Sequence, residues 1–556
     1  MPTLEFKGKA SVYAHHLSVP FRELVVAPDK SLPAQGAKPS LDDNLIIHGD
    51  NLEALKALLP RYAGKVDVIY IDPPYNTGNE GWAYNDKVNS PLMKAWLGKV
   101  IDRDDLERHD KWLCMMWPRL ELLRELLSPL GLFFMSIDEN EIGNALALAD
   151  EVFGRENRVE TLIWKKSYGG GAKEKHFVTT HEYVLCYASD IDNLYFLDRP
   201  ISDEKIERYY VHKDEWVEER GPYRLKPLEA TESMDERLDL RYSIEAPDGT
   251  IIKPRRQWWW SEERFRRTKE WGGIEFLKNK NGWSVQYKQY LKVADGENRG
   301  EKPFSVINLP SVFVGPYTQE GTAELREIFD GDSPVPFPKP TRLVNELLSI
   351  VKPNDAGNIL VLDSFAGSGT TAHAVLKANA EDGGKRKFIL IETEDYADTL
   401  TAERVRRVIA GGGTTSREPL PGSFTYCELG EPIDLDRFFQ GKGAPPYAQV
   451  ARYIAYTATG QSIDNAPEAP DDLWFVGEAG GYRIHLIYKP DLAWMKSDAA
   501  ALREELAQRI AKSSAGKPVL VYGAQKFIGQ KALTQMGVTF CQLPYAIYRI
   551  LGNGDE

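Results

Sequence analysis

The run Val66-Asp67-Val68-Ile69-Tyr70-Ile71, closed at once by Asp72-Pro73-Pro74-Tyr75, limits what this chain can build. A near-continuous apolar, β-branched run of this kind reads as a strand buried on both faces of a parallel sheet. Asp72 then stands at the carboxyl end of that strand, the edge of an open α/β sheet where ligands bind. Pro73 and Pro74 fix the backbone there and remove two N–H donors, so the segment offers carbonyl acceptors. An acid, a bare carbonyl and an aromatic at a rigid strand end fit a planar ring that carries an exocyclic amine. Asp72 and the Pro73 oxygen can each accept one amine hydrogen while Tyr75 stacks on the ring face. Drawing the two hydrogens out of plane localises the nitrogen lone pair, which is positioning and electrostatics rather than covalent catalysis. On these residues alone, a plain Pro-Pro turn after a core strand remains the alternative.

A second segment has the same grammar. Asn358-Ile359-Leu360-Val361-Leu362 ends in Asp363, followed by Ser364-Phe365-Ala366-Gly367-Ser368-Gly369-Thr370-Thr371 and a helix from Ala372 to Ala380. Glycines between a strand and a helix N-terminus let the backbone approach a ligand closely. No Lys follows them as in a P-loop, and they lack the spacing of a dinucleotide fingerprint. A third strand, Phe388-Ile389-Leu390-Ile391, ends in Glu392, the usual place for an acid that takes a ribose hydroxyl pair. A Gly-rich loop and a ribose acid without a phosphate-binding Lys suggest a nucleoside cofactor that lacks phosphates.

At these residues the chain resembles the amino-methylating DNA methyltransferases that use S-adenosylmethionine. Asp72-Pro73-Pro74-Tyr75 looks like their catalytic motif and Phe365 to Thr370 like their cofactor motif, with the catalytic motif first, as in the β-ordered group. More narrowly, His48 to Leu55, Pro338-Lys339-Pro340 and Gly367 to Val375 are similar to the modification (Mod) subunit of type III restriction-modification systems. The resemblance spans roughly residues 41 to 430. It implies an α/β fold with a Rossmann-like methyltransferase sheet in permuted motif order, an inserted target-recognition domain and a small C-terminal α/β domain. It implies that Asp72, Pro73, Pro74 and Tyr75 hold a flipped adenine for N6 methylation. Asp363, Phe365, Ala366, Gly367, Ser368, Gly369, Thr370 and Glu392 would bind the cofactor, with Asp50 near its adenine and Lys339 at its methionine end. Asp50 also reads as an ordinary helix cap. Cytosine N4 methylation uses similar geometry, although that group usually has Ser where Asp72 stands. An RNA adenine methyltransferase and a DNA-recognition subunit of a nuclease complex with little activity of its own also remain open.

The net charge of −13 argues at first against a nucleic-acid partner, but binding depends on where basic residues cluster. Residues 251–290 hold ten Lys/Arg against four Glu, interleaved with Trp258, Trp259, Trp260, Trp271 and Trp283. Phosphates and exposed bases want that mixture, so Arg255, Arg256, Trp258, Arg264, Arg266 and Arg267 are candidate DNA contacts. A basic face over a Trp-rich core is the plain alternative. Lys165, Lys166, Lys173 and Lys175 flank a Gly-rich loop that suits the same role, and residues 82–108 form a polar stretch that could close over substrate. Asp138, after another apolar run, reads as a helix N-cap rather than a site acid. Cys114, Cys186, Cys427 and Cys541 lack C-x-x-C spacing, so neither zinc nor a disulfide framework is indicated. No membrane span or signal pattern is visible, and a cytoplasmic protein is expected.

The expected domains are an N-terminal arm (1–40), a catalytic half (41–190), a target-recognition insertion (191–330), a cofactor-binding half (331–430) and a C-terminal α/β domain (431–556). In the last, strands at 473–476, 482–488 and 519–522 and a helix at 498–512 are expected, with docking or dimerisation as its role. Duplex DNA, a possible restriction (Res) subunit and a second copy of the chain are the expected partners. Nothing here resembles a nuclease or helicase, so cleavage would need another polypeptide.

Overall fold

The structure, a computed structural model, describes residues 3–77, 108–167, 176–195, 197–231, 235–280, 282–293, 298–307, 318–352, 358–412, 417–441, 443–463 and 465–543. It divides into two compact units, one of residues 1–196 with 304–556 and one of residues 197–303.

The apolar runs of the larger unit pair into one ten-stranded sheet. Its strands are β1 (Arg22–Val26), β2 (Leu45–His48), β3 (Val66–Ile71), β4 (Leu127–Ile137), β5 (Arg158–Lys165), β6 (His181–Ala188), β7 (Val306–Ile307), β8 (Asn358–Asp363), β9 (Lys385–Glu392) and β10 (Thr425–Pro432). Across the sheet the order is β1-β10-β2-β9-β8-β3-β4-β6-β5-β7. The six strands from β10 to β4 are parallel, while β6 runs antiparallel to both β4 and β5. Helices connect the parallel strands: α1 (Asn51–Tyr62), α2 (Arg108–Leu126), α3 (Ile142–Ala149), α4 (Thr318–Ile328), α5 (Thr341–Leu348), α6 (Thr370–Asp382) and α7 (Glu403–Ala410). This is a Rossmann-like α/β sheet in which the strand before Asp72 comes earlier in the chain than the Gly-rich loop.

Register explains why the three acids share one edge. Leu362 pairs with Ile69, Asp363 with Leu390 and Glu392 with His48, so β3, β8, β9 and β2 end together. The chain leaves β3 through α2 to β4 on one side and leaves β8 through α6 to β9 on the other. The winding therefore reverses between β3 and β8, and a crevice at that carboxyl edge is the ligand position of such sheets. Leu52, Leu55, Leu58 and Leu59 of α1 and Trp112 and Trp117 of α2 bury the stripe that covers Ile47, Ile69 and Ile71. Each fully buried Leu contributes about 2 kcal/mol, so the edge rests on a rigid core.

The C-terminal part packs on this body through α8 (Tyr447–Thr459). The Tyr453 and Phe21 rings meet at a tilt of 58° with centroids 4.9 Å apart, Tyr456 donates to Glu125, and Ser462 Oγ donates to the Ala63 carbonyl at 3.0 Å. Beyond it lies a four-stranded sheet of Phe475–Ala479, Tyr482–Ile487, Val519–Gly523 and Val538–Gln542. The expected helix at 498–512 starts only at Glu504, because Asp498–Ala500 is a 3-10 turn and Ala501–Leu502 a short strand. The edge strand Val538–Gln542 lies beyond the strands expected from the sequence.

The smaller unit has a three-stranded antiparallel sheet of Ile274–Asn279, Gly282–Tyr290 and Tyr223–Pro227, in that order, with the helix Glu262–Glu270 beside it. Its small core is Leu228, Ile244, Trp258, Phe265 and Val285. Among the described residues no helix is long and apolar enough to cross a membrane.

Candidate active site

Asp72 leaves β3 into a segment that is pinned from both sides. Trp112 of α2 donates its indole N–H to the Pro74 carbonyl at 2.7 Å. Asn76 adopts a left-handed conformation, φ 56°, which Asn tolerates better than most residues. Its amide donates to the fully buried Glu141, which also pairs with His109 Nδ1 at 2.7 Å. These ties fix the turn that presents Asp72 and Tyr75.

Four charged groups converge there. Lys339 Nζ lies 3.0 Å from Asp72 Oδ1 and 3.3 Å from Glu182 Oε2, and donates to the Tyr75 hydroxyl at 2.6 Å. Tyr75 donates in turn to Glu182 Oε2 at 3.0 Å, and Lys166 Nζ donates to Glu182 Oε1 at 3.1 Å. Asp72 Oδ1 is buried, and the Lys339 ammonium, 3.0 Å away, is the charge that faces it. Burial pushes the Asp72 carboxyl above the ordinary carboxylate range, and Lys339 opposes that shift. Burial would also raise Glu182, but Lys339 and Lys166 overturn it and leave Glu182 below its usual value. Lys339 loses by burial and gains more from the two carboxylates, so it stays charged above its usual value.

The Gly-rich loop sits one strand away. Asp363 closes its first turn, accepting from Phe365 N at 3.0 Å and from Thr371 Oγ1 at 2.5 Å. Ala366 N donates to the Ile391 carbonyl at 3.0 Å, stitching the loop to β9. Gly367 has φ 53° and donates its N–H to Glu392 Oε2 at 2.7 Å. Gly369 has φ 80°, and a Cβ there would meet the Thr401 carbonyl at 3.0 Å, so the turn requires glycine. Glu392 Oε1 accepts from Glu394 N at 3.0 Å. Burial raises both Asp363 and Glu392 to about 7. Glu392 is thus a buried acid met by two backbone N–H groups, with lone pairs left for hydroxyls. Ser364 Oγ, at the start of the loop, is buried without a hydrogen-bond partner among the described residues. These features fit a nucleoside rather than a nucleotide.

Several expected contacts are engaged otherwise. Asp50 caps α1, its Oδ1 accepting from Leu52 N at 2.9 Å and Glu53 N at 3.2 Å. Lys339 sends its ammonium to Asp72 and Tyr75, while its carbonyl accepts from Thr370 Oγ1 at 3.1 Å. The Ser368 and Thr370 hydroxyls accept from the buried Arg404 guanidinium at 3.0 and 2.9 Å. Asp138 does not cap α3: it accepts from Asn140 N at 2.9 Å, and the helix starts after Glu141. Glu182 and Arg404 were not singled out in the sequence. An acid opening an otherwise apolar strand was the available signal for Glu182; nothing marked Arg404.

Among the candidate DNA contacts, Trp258 needs correction. It is 2% exposed in the core of the smaller unit, its indole donating to the Tyr242 carbonyl at 2.8 Å. It cannot stack on a base. Replacing Trp258 with Ala is expected to cost about 3–5 kcal/mol of that unit's stability, read by chemical denaturation. Lys166 belongs to the Glu182 cluster rather than to an open surface. Arg255, Arg264, Arg266 and Arg267 are exposed, Arg264 lying 4.3 Å over the Trp260 ring and Arg266 pairing with Glu262 at 2.5 Å; Arg256 is half-buried. Lys173, Lys175 and the stretch 82–107 lie outside the described residues. Lys165 ends β5 and is half-buried.

The comparison with known sequences meets this geometry directly. The N6/N4 methylase family model, described as DNA methylase, matches residues 66–403. The chain belongs to this DNA methylase family. Among its relatives, the StyLTI type III restriction-modification enzyme Mod subunit of Salmonella typhimurium is 33% identical over 391 residues, covering 66% of this chain and 57% of that protein. The EcoPI Mod subunit of Escherichia phage P1 is 31% identical over 74% of this chain and 69% of its own length. The EcoP15I Mod subunit of Escherichia coli is 30% identical over 72% and 66%. The matches thus span little more than half to about two thirds of these relatives. The methylase match contains Asp72, Glu182, Lys339, Asp363 and Glu392, so the residues gathered at the edge all fall within the family's own span.

Proposed function

We propose that this chain transfers a methyl group from S-adenosylmethionine to the N6 amine of an adenine in duplex DNA. The observation that carries the reading is the buried Asp72 carboxylate, paired with Lys339 at the strand end next to a loop suited to a nucleoside. The target base must leave the duplex, because its amine is otherwise paired and stacked. Asp72 and the Pro73 carbonyl then take the two amine hydrogens, and Tyr75, 5% exposed with Lys339 over its ring, meets the base as that ammonium withdraws. The lone pair, no longer delocalised, projects toward the Gly-rich loop. Glu392 and the loop from Phe365 to Thr370, with Asp363 and Asp50 behind them, would hold the cofactor. When bound, S-adenosylmethionine supplies an electrophilic methyl on a sulfonium. Asp72 favours adenine over cytosine, since the resembled N4 enzymes usually carry Ser at that position.

The names of the relatives support a role as the modification subunit of a type III-like restriction-modification system in the cytoplasm, with a Res subunit and a second copy of the chain as partners. The smaller unit would serve target recognition, with its exposed arginines on phosphates. Changing Arg264, Arg266 and Arg267 together to Ala is expected to weaken DNA binding and flatten its dependence on salt by a slope of about 3. Fluorescence anisotropy across a salt series reads both.

The reading is tested with methyl-labelled S-adenosylmethionine offered in parallel to mixed-sequence duplex DNA and to RNA. Label on duplex DNA is expected. Label confined to RNA would replace the substrate class, and cofactor binding without transfer to either would leave a recognition subunit.

A further inference from the structure

The reacting carboxylate shares its buried cation with a second acid. Lys339 Nζ donates to the Tyr75 hydroxyl at 2.6 Å and lies between the two carboxylates, 3.0 Å from Asp72 Oδ1 and 3.3 Å from Glu182 Oε2. Resting on the amino-methylation reading, we propose that Lys339 is a displaceable counter-ion: it neutralises Asp72 while no base is bound, and Glu182 keeps the ammonium when the amine takes the Asp72 oxygen. Lys339 and Glu182 are then positioning residues, acting on the reaction through Asp72.

The surroundings permit this exchange and little else. Glu182 is fixed by Lys166 at 3.1 Å and Tyr75 at 3.0 Å, so the receiving acid stays in place. The Lys339 backbone is held between Pro338 and Pro340, with its carbonyl on Thr370. Against it, a Cβ on Gly321 would come within 2.2 Å of the Pro338 oxygen, so that backbone is tightly packed. Only the side chain can move. Its ammonium lies 4.7 Å from the Tyr75 ring centre and 5.6 Å from that of Trp164, aromatic faces over which a cation can shift without losing all stabilisation. Two acids, Asp72 and Glu182, meet two ammonium groups, Lys339 and Lys166, so the cluster balances before the base arrives. An amine enters as a neutral donor, and the balance persists if Lys339 remains on Glu182.

The groups that bear on Asp72 are Tyr70 of β3, Tyr75 of its own segment, Glu182 of β6, Lys339 before α5 and Asp363 of β8, with Lys166 acting through Glu182. Asp72 must be ionised to accept the amine hydrogens. Removing the ammonium raises its carboxyl further, whereas removing the neighbouring Glu182 charge lowers it. Lys339→Met is therefore expected to move the acid limb of kcat/KM upward in pH, and Glu182→Gln to move it downward. A shift of one unit changes the rate ratio between pH 6 and pH 8.5 by up to about tenfold, in opposite senses. Glu182→Gln should also raise KM for DNA on the plateau, because the ammonium is left with Asp72 as its one carboxylate.

Shifts in opposite directions support the proposal; shifts in the same direction, or an unmoved limb in Glu182→Gln, overturn it. If Lys339→Met does not fold, judged by melting and by cofactor binding, Glu182→Gln alone decides by the direction of its limb. Wild-type protein that transfers no methyl to DNA would instead overturn the underlying reading, a distinct result.

Discussion

Asp72→Ala is expected to lose methyl transfer by roughly 10³-fold or more, the scale of removing a preorganised group aimed at the reacting atoms. Cofactor binding should persist, because the loop and Glu392 are built from β8 and β9 and their bonds run among Asp363, Phe365, Thr371, Gly367 and Glu392. Stability should hold too. A carboxyl raised by folding makes the native state lose stability as pH climbs from the ordinary carboxylate value toward the raised one. At pH 8 wild-type Asp72 therefore costs stability, and its loss leaves Lys339 with Glu182 as counter-charge. Melting at pH 8 within about 1 kcal/mol of wild type is the expected companion result. An inactive variant that also fails to bind cofactor would show that Asp72 holds the fold rather than the amine.

The second large effect lies behind the loop. Arg404 of α7 is fully buried. It donates to Ser368 at 3.0 Å and Thr370 at 2.9 Å, to Thr341 and His373 at 3.2 Å each, and to Glu324 at 3.4 Å. Burial, and then the Arg404 charge, holds His373 well below its usual value, so its Nδ1 accepts. One guanidinium thus ties the start of α6, just after the loop, to the start of α5, just after Lys339. Arg404→Met leaves these acceptors without their donor and is expected to cost about 3–5 kcal/mol, nearer the lower figure because Glu324 is partly exposed. Arg404→Lys should rescue little, since one ammonium cannot replace a planar fork. Calorimetric melting together with cofactor titration checks this. A variant that melts and binds cofactor like wild type would contradict the assigned role.

The strand ends were readable because burial on both faces leaves an unbroken apolar run and an acid at its end stands out. Asp72, Asp363 and Glu392 share an edge for that reason, and their order in the chain pointed to the permuted sheet. The partners of Asp72 were not readable. Lys339 and Tyr75 are 264 residues apart, and only the pairing of β4 with β6 and the entry to α5 brings Glu182 and Lys339 to the same place. Lys339 read as a cofactor contact because its motif opens a helix beside the loop; the backbone does go there, but the side chain turns the other way. Trp258 shows the limit of composition. Basic residues interleaved with tryptophans describe a nucleic-acid surface and a small aromatic core equally well, and this side chain takes the second role.

The central claim is that Asp72 presents an adenine amine for methylation. The most direct measurement is the identity of the product nucleoside after incubation with methyl-labelled S-adenosylmethionine and duplex DNA, with Asp72→Ala in parallel. Label in N6-methyladenine, absent from the variant, is the expected result. Label in N4-methylcytosine, or N6-methyladenine undiminished in Asp72→Ala, would contradict it.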